Sequence, residues 1–426
     1  MEVKLHKNFE ATGNTWEGFE DAILSIDNAT SLISCRSEDL SMAAILDDYE
    51  DAQEAATMFL TDCESKSFDD TADYWQQKIT KYSRKDCWLF FYMSPQNRTA
   101  FRSIDKEYFR KRDFSKELIA ELSTQSKMLI INDEKFYAVS PLAFTTLLRR
   151  AGLGGDTMNS PCLGRVLEIF KSLQWRNVQD VSIIARHSGN ANMILAVHSD
   201  KYCYMPQTIL CDIYHEIAAN LGNPKCDKWV VNHEISCCYV NFPEVGEDFA
   251  ATYDLPNSVV PGIYFGTSDS GDSSLTIRGY WKVNGHIIGG ECYKRSHRGE
   301  IDVADFVTSV GNKIFAQYNK VPERLCELLK IKVHNPSATI KRVLKEIGMV
   351  NVLGKKKSDM LWNALSDEFV RGGDYTAYHI AMAIASLPER CYGISRTYIE
   401  KLEDIATKAI FAKYDTTHEP SIVLLP

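Results

Sequence analysis

The stretch from Ser258 to Glu300 constrains the fold more than any other part of this chain. From Pro261 it reads PGIYFGTSDSGDSSLTIRGYWKVNGHIIGGECYKRSHRGE. Apolar residues alternate through two runs, a Ser/Asp/Gly cluster separates them, and Asn284-Gly285 follows the second. Side chains on a strand alternate faces with period two. Asn-Gly between alternating runs is a strong hairpin signal. The stretch therefore predicts successive strands joined by turns at 270–272 and 284–285, then a basic loop containing a histidine.

Alternation also sorts Ser274–Lys282 into two faces. Leu275, Ile277, Gly279 and Trp281 fall on one side, as a core face requires; Thr276, Arg278, Tyr280 and Lys282 fall on the other. On an open sheet face, Arg278, Tyr280 and Lys282 would contact phosphates and stack on bases. The loop beyond adds Lys294, Arg295, His297 and Arg298. These seven residues are the candidate nucleic-acid-binding set. A solvated strand face beside a charged loop is the commoner fate of such residues. The coincidence of clustered charge with an aromatic is what favours binding.

Other chemistries find less support. Gly348–Lys355 reads GMVNVLGK, with five residues between the glycines where a phosphate loop has four, and Lys356 stands where Ser or Thr belongs. A helix C-cap followed by a basic loop explains it better. Cys226, His233, Cys237 and Cys238 lie close in sequence but without the paired Cys spacing of a zinc site, so buried thiols and a satisfied histidine are expected. No GxSxG or HExxH motif occurs. Asp269 and Asp272 bracket Gly271, where a turn needs Asp, Ser and Gly for backbone reasons alone. Neither a catalytic residue nor a cofactor is expected.

Along the 426 residues the reading is α+β, with a central, largely antiparallel sheet, packed helices, an acidic helical N-terminal region and an all-helical C-terminal region. Residues 1–75 form the acidic region, with an amphipathic helix expected in the run Leu40–Leu60, its apolar face on Ala44, Leu46, Tyr49, Ala52, Ala56 and Phe59. Residues 76–125 read as a basic, aromatic helical segment. Residues 126–333 form the α+β core, including a hairpin through Ser188-Gly189-Asn190, a helix stopped at Gly222, two short strands in KWVVNHEISCCYVNF, and a long helical pattern broken near Pro322. Residues 334–415 read as helices capped by Ser337, Ser358 and Ser395. Residues 416–426 read as a flexible tail.

The formal charge of −9 weighs against a generic nucleic-acid binder, but the distribution is polarised. Residues 1–75 hold eighteen carboxylates against four Lys/Arg, and residues 81–116 reverse this with ten Lys/Arg to four acids. No run of about 18 apolar residues exists, so no membrane span is expected, and the N-terminus lacks the pattern of a secretory signal. With twelve cysteines scattered rather than framed, a reduced, cytoplasmic location is expected.

The segment before Ser274-Leu275, the aromatic-containing strand after it, Asn284-Gly285, the element Ser296-His297-Arg298-Gly299 and the C-terminal run TAYHIAMAIASLPER together resemble domain-of-unknown-function family 932, over roughly residues 125–415. This family occurs in phages and plasmids. It places a cysteine before the Asn-Gly pair, where Val283 stands here. The resemblance implies a mobile-element protein and brings no catalytic residues. The function expected is sequence-independent binding or annealing of single-stranded DNA by a homo-oligomer. The alternative is a phage assembly or host-defence-inhibiting protein that engages a protein partner through the acidic N-terminal region.

Overall fold

The computed structural model describes residues 2–6, 8–45, 87–93, 99–105, 127–131, 135–153, 172–270, 274–297, 301–369, 374–390 and 396–414, and the isolated positions 107, 110–113, 115, 118, 121 and 169. The chain begins with β1 (Glu10–Gly13), α1 (Trp16–Asn28), β2 (Thr30–Arg36) and β3 (Leu40–Ile45). β4 (Cys87–Met93), β5 (Thr99–Asp105), β6 (Lys127–Ile131), β7 (Lys135–Val139) and α2 (Pro141–Arg150) follow. Next come β8 (Asp180–Ser188), β9 (Ala191–Ser199), α3 (Ile209–Leu221), β10 (Lys225–Asn232), β11 (Ser236–Asn241) and α4 (Pro243–Thr252). β12 (Val259–Thr267), β13 (Leu275–Val283) and β14 (His286–Arg295) complete the large sheets.

Two sheets result. One has six strands in the order β1-β10-β11-β12-β13-β14, every pair antiparallel. The other has eight in the order β2-β8-β9-β7-β6-β3-β4-β5, antiparallel except where β7 meets β9. That parallel step needs a crossover, and α2 lies within it, packed on β9. The fold is thus α+β, as the alternating and helical stretches predict.

Local chemistry accounts for the turns. Asn284 and Gly285 both have positive φ, 51° and 85°, the geometry of the tight turn whose twist matches the flanking strands. Gly189 (φ 57°) closes the β8–β9 hairpin, and Gly222 (φ 113°) follows α3; both positions were legible in the sequence. The apolar face of β13 behaves as predicted: Leu275, Ile277 and Trp281 join Ile263, Phe265, Ile213 and Ile314 in the main core.

The C-terminal third is helical: α5 (Val303–Phe315), α6 (Lys320–Lys330), α7 (Pro336–Glu346), α8 (Met349–Leu353), α9 (Lys355–Glu368), α10 (Ala377–Ala385), α11 (Leu387–Arg390) and α12 (Arg396–Ile410), with the two-residue strands β15 (Lys332–Val333) and β16 (Tyr375–Thr376). The break in the long helical pattern falls at residues 316–319, ahead of Pro322, because proline is tolerated in a first helical turn. Asn335 rather than Ser337 caps α7, accepting from the Ala338 amide with Pro336 at the first helical position. Ser358 lies inside α9, donating back to the Gly354 carbonyl; Ser395 lies outside the described residues. Gly348 is left-handed (φ 76°) between α7 and α8, the helix punctuation read in place of a phosphate loop.

Three further expectations are corrected. Residues 40–45, the first six of the run expected to be an amphipathic helix, are a strand; the remainder of its span lies outside the described residues. Within residues 76–125, Cys87–Met93 and Thr99–Asp105 are paired strands rather than helix. The run CWLFFYM is short and aromatic, a composition that favours a pleated surface. In the N-terminal region, β1 and β2 add an edge strand to each sheet, with α1 between them.

The third correction concerns β13. Its Arg/Tyr/Lys row does face away from the main core, but that face is covered. Tyr280 is 1% exposed, among Cys237, Tyr239, Tyr264 and Ile287. Arg278 is 4% exposed and pairs with the buried Glu403 of α12 at 3.2 Å. Lys282 pairs with Asp227 at 2.6 Å. Alternation assigns faces; it does not say what lies over them. Gly289 makes the Arg278 path feasible, since a Cβ there would overlap the guanidinium.

Removing one partner from a buried pair strands the other charge, at about 3–5 kcal/mol. Arg278→Ala should therefore lower unfolding free energy by about that amount in chemical denaturation, and Gly289→Ala should also be clearly destabilising. Arg295→Ala, on an exposed side chain, should stay within about 0.5 kcal/mol. A stable Arg278→Ala chain would contradict the structural role.

Candidate anion-binding pocket

A cavity of about 230 Å³ lies where the two sheets meet. Thr146, Arg149 and Arg150 of α2, Val197 and His198 of β9, and Tyr202 form one side. Ser270 and Ser274 from the β12–β13 connection, with Ser296 and His297 beyond β14, form the other. Four separated parts of the chain thus build it.

α2 places the arginines. Ser140 caps the helix by accepting from the Ala143 amide at 3.1 Å, and Pro141 begins the first turn. Ala143, Phe144, Leu147 and Leu148 are buried in the core beneath the eight-stranded sheet's side of the pocket. Arg149 and Arg150 fall in the last turn, where cations complement the helix dipole.

The inner wall is a stack of rings. His198 and Tyr202 stack at 3.8 Å between centroids, and Tyr202 stacks on His297 at 5.4 Å. Tyr202 Oη is hydrogen-bonded to His297 Nδ1 at 3.1 Å, and His297 Nε2 to Thr267 Oγ1 at 3.1 Å. His198 Nε2 donates to the Asp269 carbonyl at 3.2 Å. Burial holds the His297 imidazole down at about 4, with His198 adding to the effect. Burial also lowers His198, and the Arg150 and Arg149 charges act in the same direction. Both rings are therefore neutral near pH 7.

Behind the rings sits a dry polar junction. Arg186 of β8 and Asp269 are both fully buried, 3.5 Å apart. Arg186 also donates to His233 Nδ1 at 3.0 Å and to Thr30 Oγ1 at 3.3 Å. Asp269 accepts from Gln207 Nε2 at 2.5 Å, and Gln207 in turn accepts from Ser236. Burial pushes the Asp269 carboxyl up to about 6 despite the opposing pull of Arg186, lowers Arg186 and brings His233 down to about 3, with Arg186 contributing.

Most polar groups of the cavity are already used. Thr146 Oγ1 donates to the Ala143 carbonyl and accepts from the Val197 amide, each at 2.8 Å. Ser270 is bonded to Ser268 at 2.7 Å. Among the described residues, no side-chain partner engages Arg149, Arg150 or Ser296. Two guanidinium groups and a hydroxyl therefore face the cavity as donors, and they suit an anion.

Of the seven residues named from the sequence, His297 lines this pocket, and the exposed Lys294 and Arg295 directly precede its Ser296. Arg278 and Tyr280 belong to the covered face, Lys282 is half-buried and paired with Asp227, and Arg298 lies outside the described residues. Arg149, Arg150, His198, Tyr202 and Ser270 were not signalled; an Arg-Arg pair ending a helix reads as ordinary dipole complementation. Asp269, read as a turn residue, proves to be a buried ion-pair partner, while Asp272 lies outside the described residues.

The cysteine cluster separates. Cys226 and Cys238 approach to 3.6 Å between sulfurs on the main-core side, Cys237 faces the tyrosine cluster, and His233 is held by Arg186. Among the described residues no group of three or more His, Cys, Asp or Glu side chains is arranged to hold a metal ion, and no helix is long and apolar enough to cross a membrane. No family model matches the chain, and neither a curated protein nor a solved structure does.

The Asp269 pKa gives a signed test. A carboxyl held above its unfolded value binds its proton more tightly when folded. Its contribution to stability is full below about pH 4 and lost as pH rises through about 6, on the order of 2–3 kcal/mol. Denaturation of the native chain and Asp269→Asn at pH 4, 5, 6 and 7 should show the native chain losing stability relative to the variant over that range. A relative gain would mean that attraction to Arg186 outweighs burial.

Proposed function

We propose that this chain binds phosphate-bearing ligands at the junction pocket, and that single-stranded nucleic acid is the ligand class. One observation carries the reading: Arg149 and Arg150 border a cavity whose other polar groups are mostly satisfied internally, and no carboxylate among the described residues neutralises them. Guanidinium forks match phosphate oxygens in geometry as well as charge. Lys294 and Arg295, both exposed at the end of β14 directly before Ser296, add cationic charge beside the cavity, one on each face of the strand. Base stacking on Tyr280 forms no part of this reading, since that ring is buried. Recognition runs through the backbone, so it is independent of sequence.

Four cations contacting a single strand should give a slope of log affinity against log salt of about −3, from roughly −0.7 per phosphate. Fluorescent oligonucleotides titrated with the intact chain should lose affinity by about 50-fold between 50 and 200 mM salt. Replacing Arg149 and Arg150 together with Gln should reduce the slope by about 0.7 to 1.4, for one or two phosphates released, while leaving the thermal unfolding curve unchanged. Absence of binding at low salt, or a slope untouched by the double replacement, would refute the assignment.

A further inference from the structure

Resting on this reading of the pocket, we infer that the group it receives is a phosphate monoester, either the terminal phosphate of a strand or that of a free nucleotide, rather than an internal phosphodiester. Three observations converge on this ligand. Charge is the first. Arg149 and Arg150 supply two positive charges, and the half-buried His198 and buried His297 add none at neutral pH. A phosphate monoester carries about −1.5 to −2 at pH 7, which matches that sum; an internal phosphodiester carries about −1 per nucleotide and leaves one guanidinium uncompensated. A single carboxylate has the same shortfall.

Donor count is the second. Two guanidinium forks and the Ser296 hydroxyl offer more N–H and O–H groups than the two free oxygens of a diester accept, whereas a monoester presents three. Donors also come from both walls, Arg149 and Arg150 from α2 and Ser296 from beyond β14, so they approach a tetrahedral group from different sides. A planar carboxylate would satisfy one wall.

Size is the third. At about 230 Å³ the cavity falls below the roughly 300–1,000 Å³ of sites that enclose a drug-sized ligand. It accommodates a phosphate and part of the unit bearing it, and the His198–Tyr202–His297 stack forms its inner wall. The rest of the ligand lies outside, towards Lys294 and Arg295. A ligand held by its end fits these dimensions.

The experiment compares oligonucleotides of one sequence carrying a 5′-phosphate, a 3′-phosphate or neither, titrated with the intact chain in about 150 mM salt. One phosphorylated form should bind at least ~10-fold more tightly than the hydroxyl form, the ratio set by about one additional charge-assisted contact. Inorganic phosphate should abolish the difference, and succinate at equal concentration should not. Arg149→Gln or Arg150→Gln should bring the ratio close to one. Joint replacement of Lys294 and Arg295 by Gln should weaken all three oligonucleotides while leaving the ratio intact. The preference should also grow as pH rises through about 6, where the monoester takes its second charge, and then stay level to pH 9.

The outcomes separate the two proposals. Equal affinity for all three oligonucleotides overturns the monoester inference and leaves nucleic-acid binding standing. Binding of inorganic phosphate and of adenosine monophosphate without any oligonucleotide binding overturns nucleic acid as the class and upholds the monoester. Competition by succinate as strong as that by phosphate overturns phosphate as the recognised group. No binding of any probe overturns both.

Discussion

The pairing of Arg186 with Asp269 is the constraint on which the junction of the two sheets depends. Arg186 stands on β8 of the eight-stranded sheet, and Asp269 follows β12 of the six-stranded one. Both side chains are 0% exposed, so each has lost its hydration. A buried pair regains that loss only through good geometry and further hydrogen bonds. Those bonds come from Thr30 of β2, His233 between β10 and β11, and Gln207 just before α3. The upward push on Asp269 and the downward push on Arg186 share one cause, burial acting against charge. Arg186 Nη2 and Asp269 Oδ1 still have no hydrogen-bond partner among the described residues, so the pair gives little net electrostatic gain, and loss of either residue would leave the other's charge buried and unpaired.

The same logic explains how the opposite face of β13 is closed. Arg278 and Glu403 lie 125 residues apart in sequence and meet at 3.2 Å. Tyr239 Oη also donates to Glu403, at 3.3 Å. Glu403 points onto the tyrosine face, while Leu402, Ile405 and Ala406 from the same helix belong to the main core. One helix thus serves two environments, with its charged residue inserted among aromatics because a cation is waiting there. An arginine on an alternating strand reads as exposed only while its carboxylate partner is unknown.

Features governed by neighbouring residues were legible in the sequence. The Asn284-Gly285 turn, the hairpin at Gly189, the stop at Gly222 and the core side of β13 follow from φ preferences and period two. Features governed by distant contacts were not. The strands at Cys87–Met93 and Leu40–Ile45 were mistaken for helix because apolar residues in short runs satisfy either period until their partners are known. The pocket draws on residues 146–150, 197–202, 270–274 and 296–297, and nothing local marks these as neighbours. His297 was singled out for its basic surroundings, yet the structure uses it as a neutral wall between Tyr202 and Thr267. Burial reverses the charge that the neighbouring basic cluster suggests for this imidazole.

Pocket and junction are physically one device. Asp269 lies between Ser268 and Ser270; its carboxylate reaches back to Arg186, its carbonyl accepts a hydrogen bond from His198 Nε2, and Ser270 lines the cavity. The cavity's position therefore follows from the depth of the buried pair. An anion in contact with Arg149 or Arg150 on one wall and Ser296 on the other spans both sheets. Such a ligand binds only when the sheets are docked, so its binding free energy adds to the stability of the docked state. Because the imidazoles are neutral, the attraction for such an anion rests on guanidinium charge. The protein's own pH dependence then enters through Asp269, behind the site.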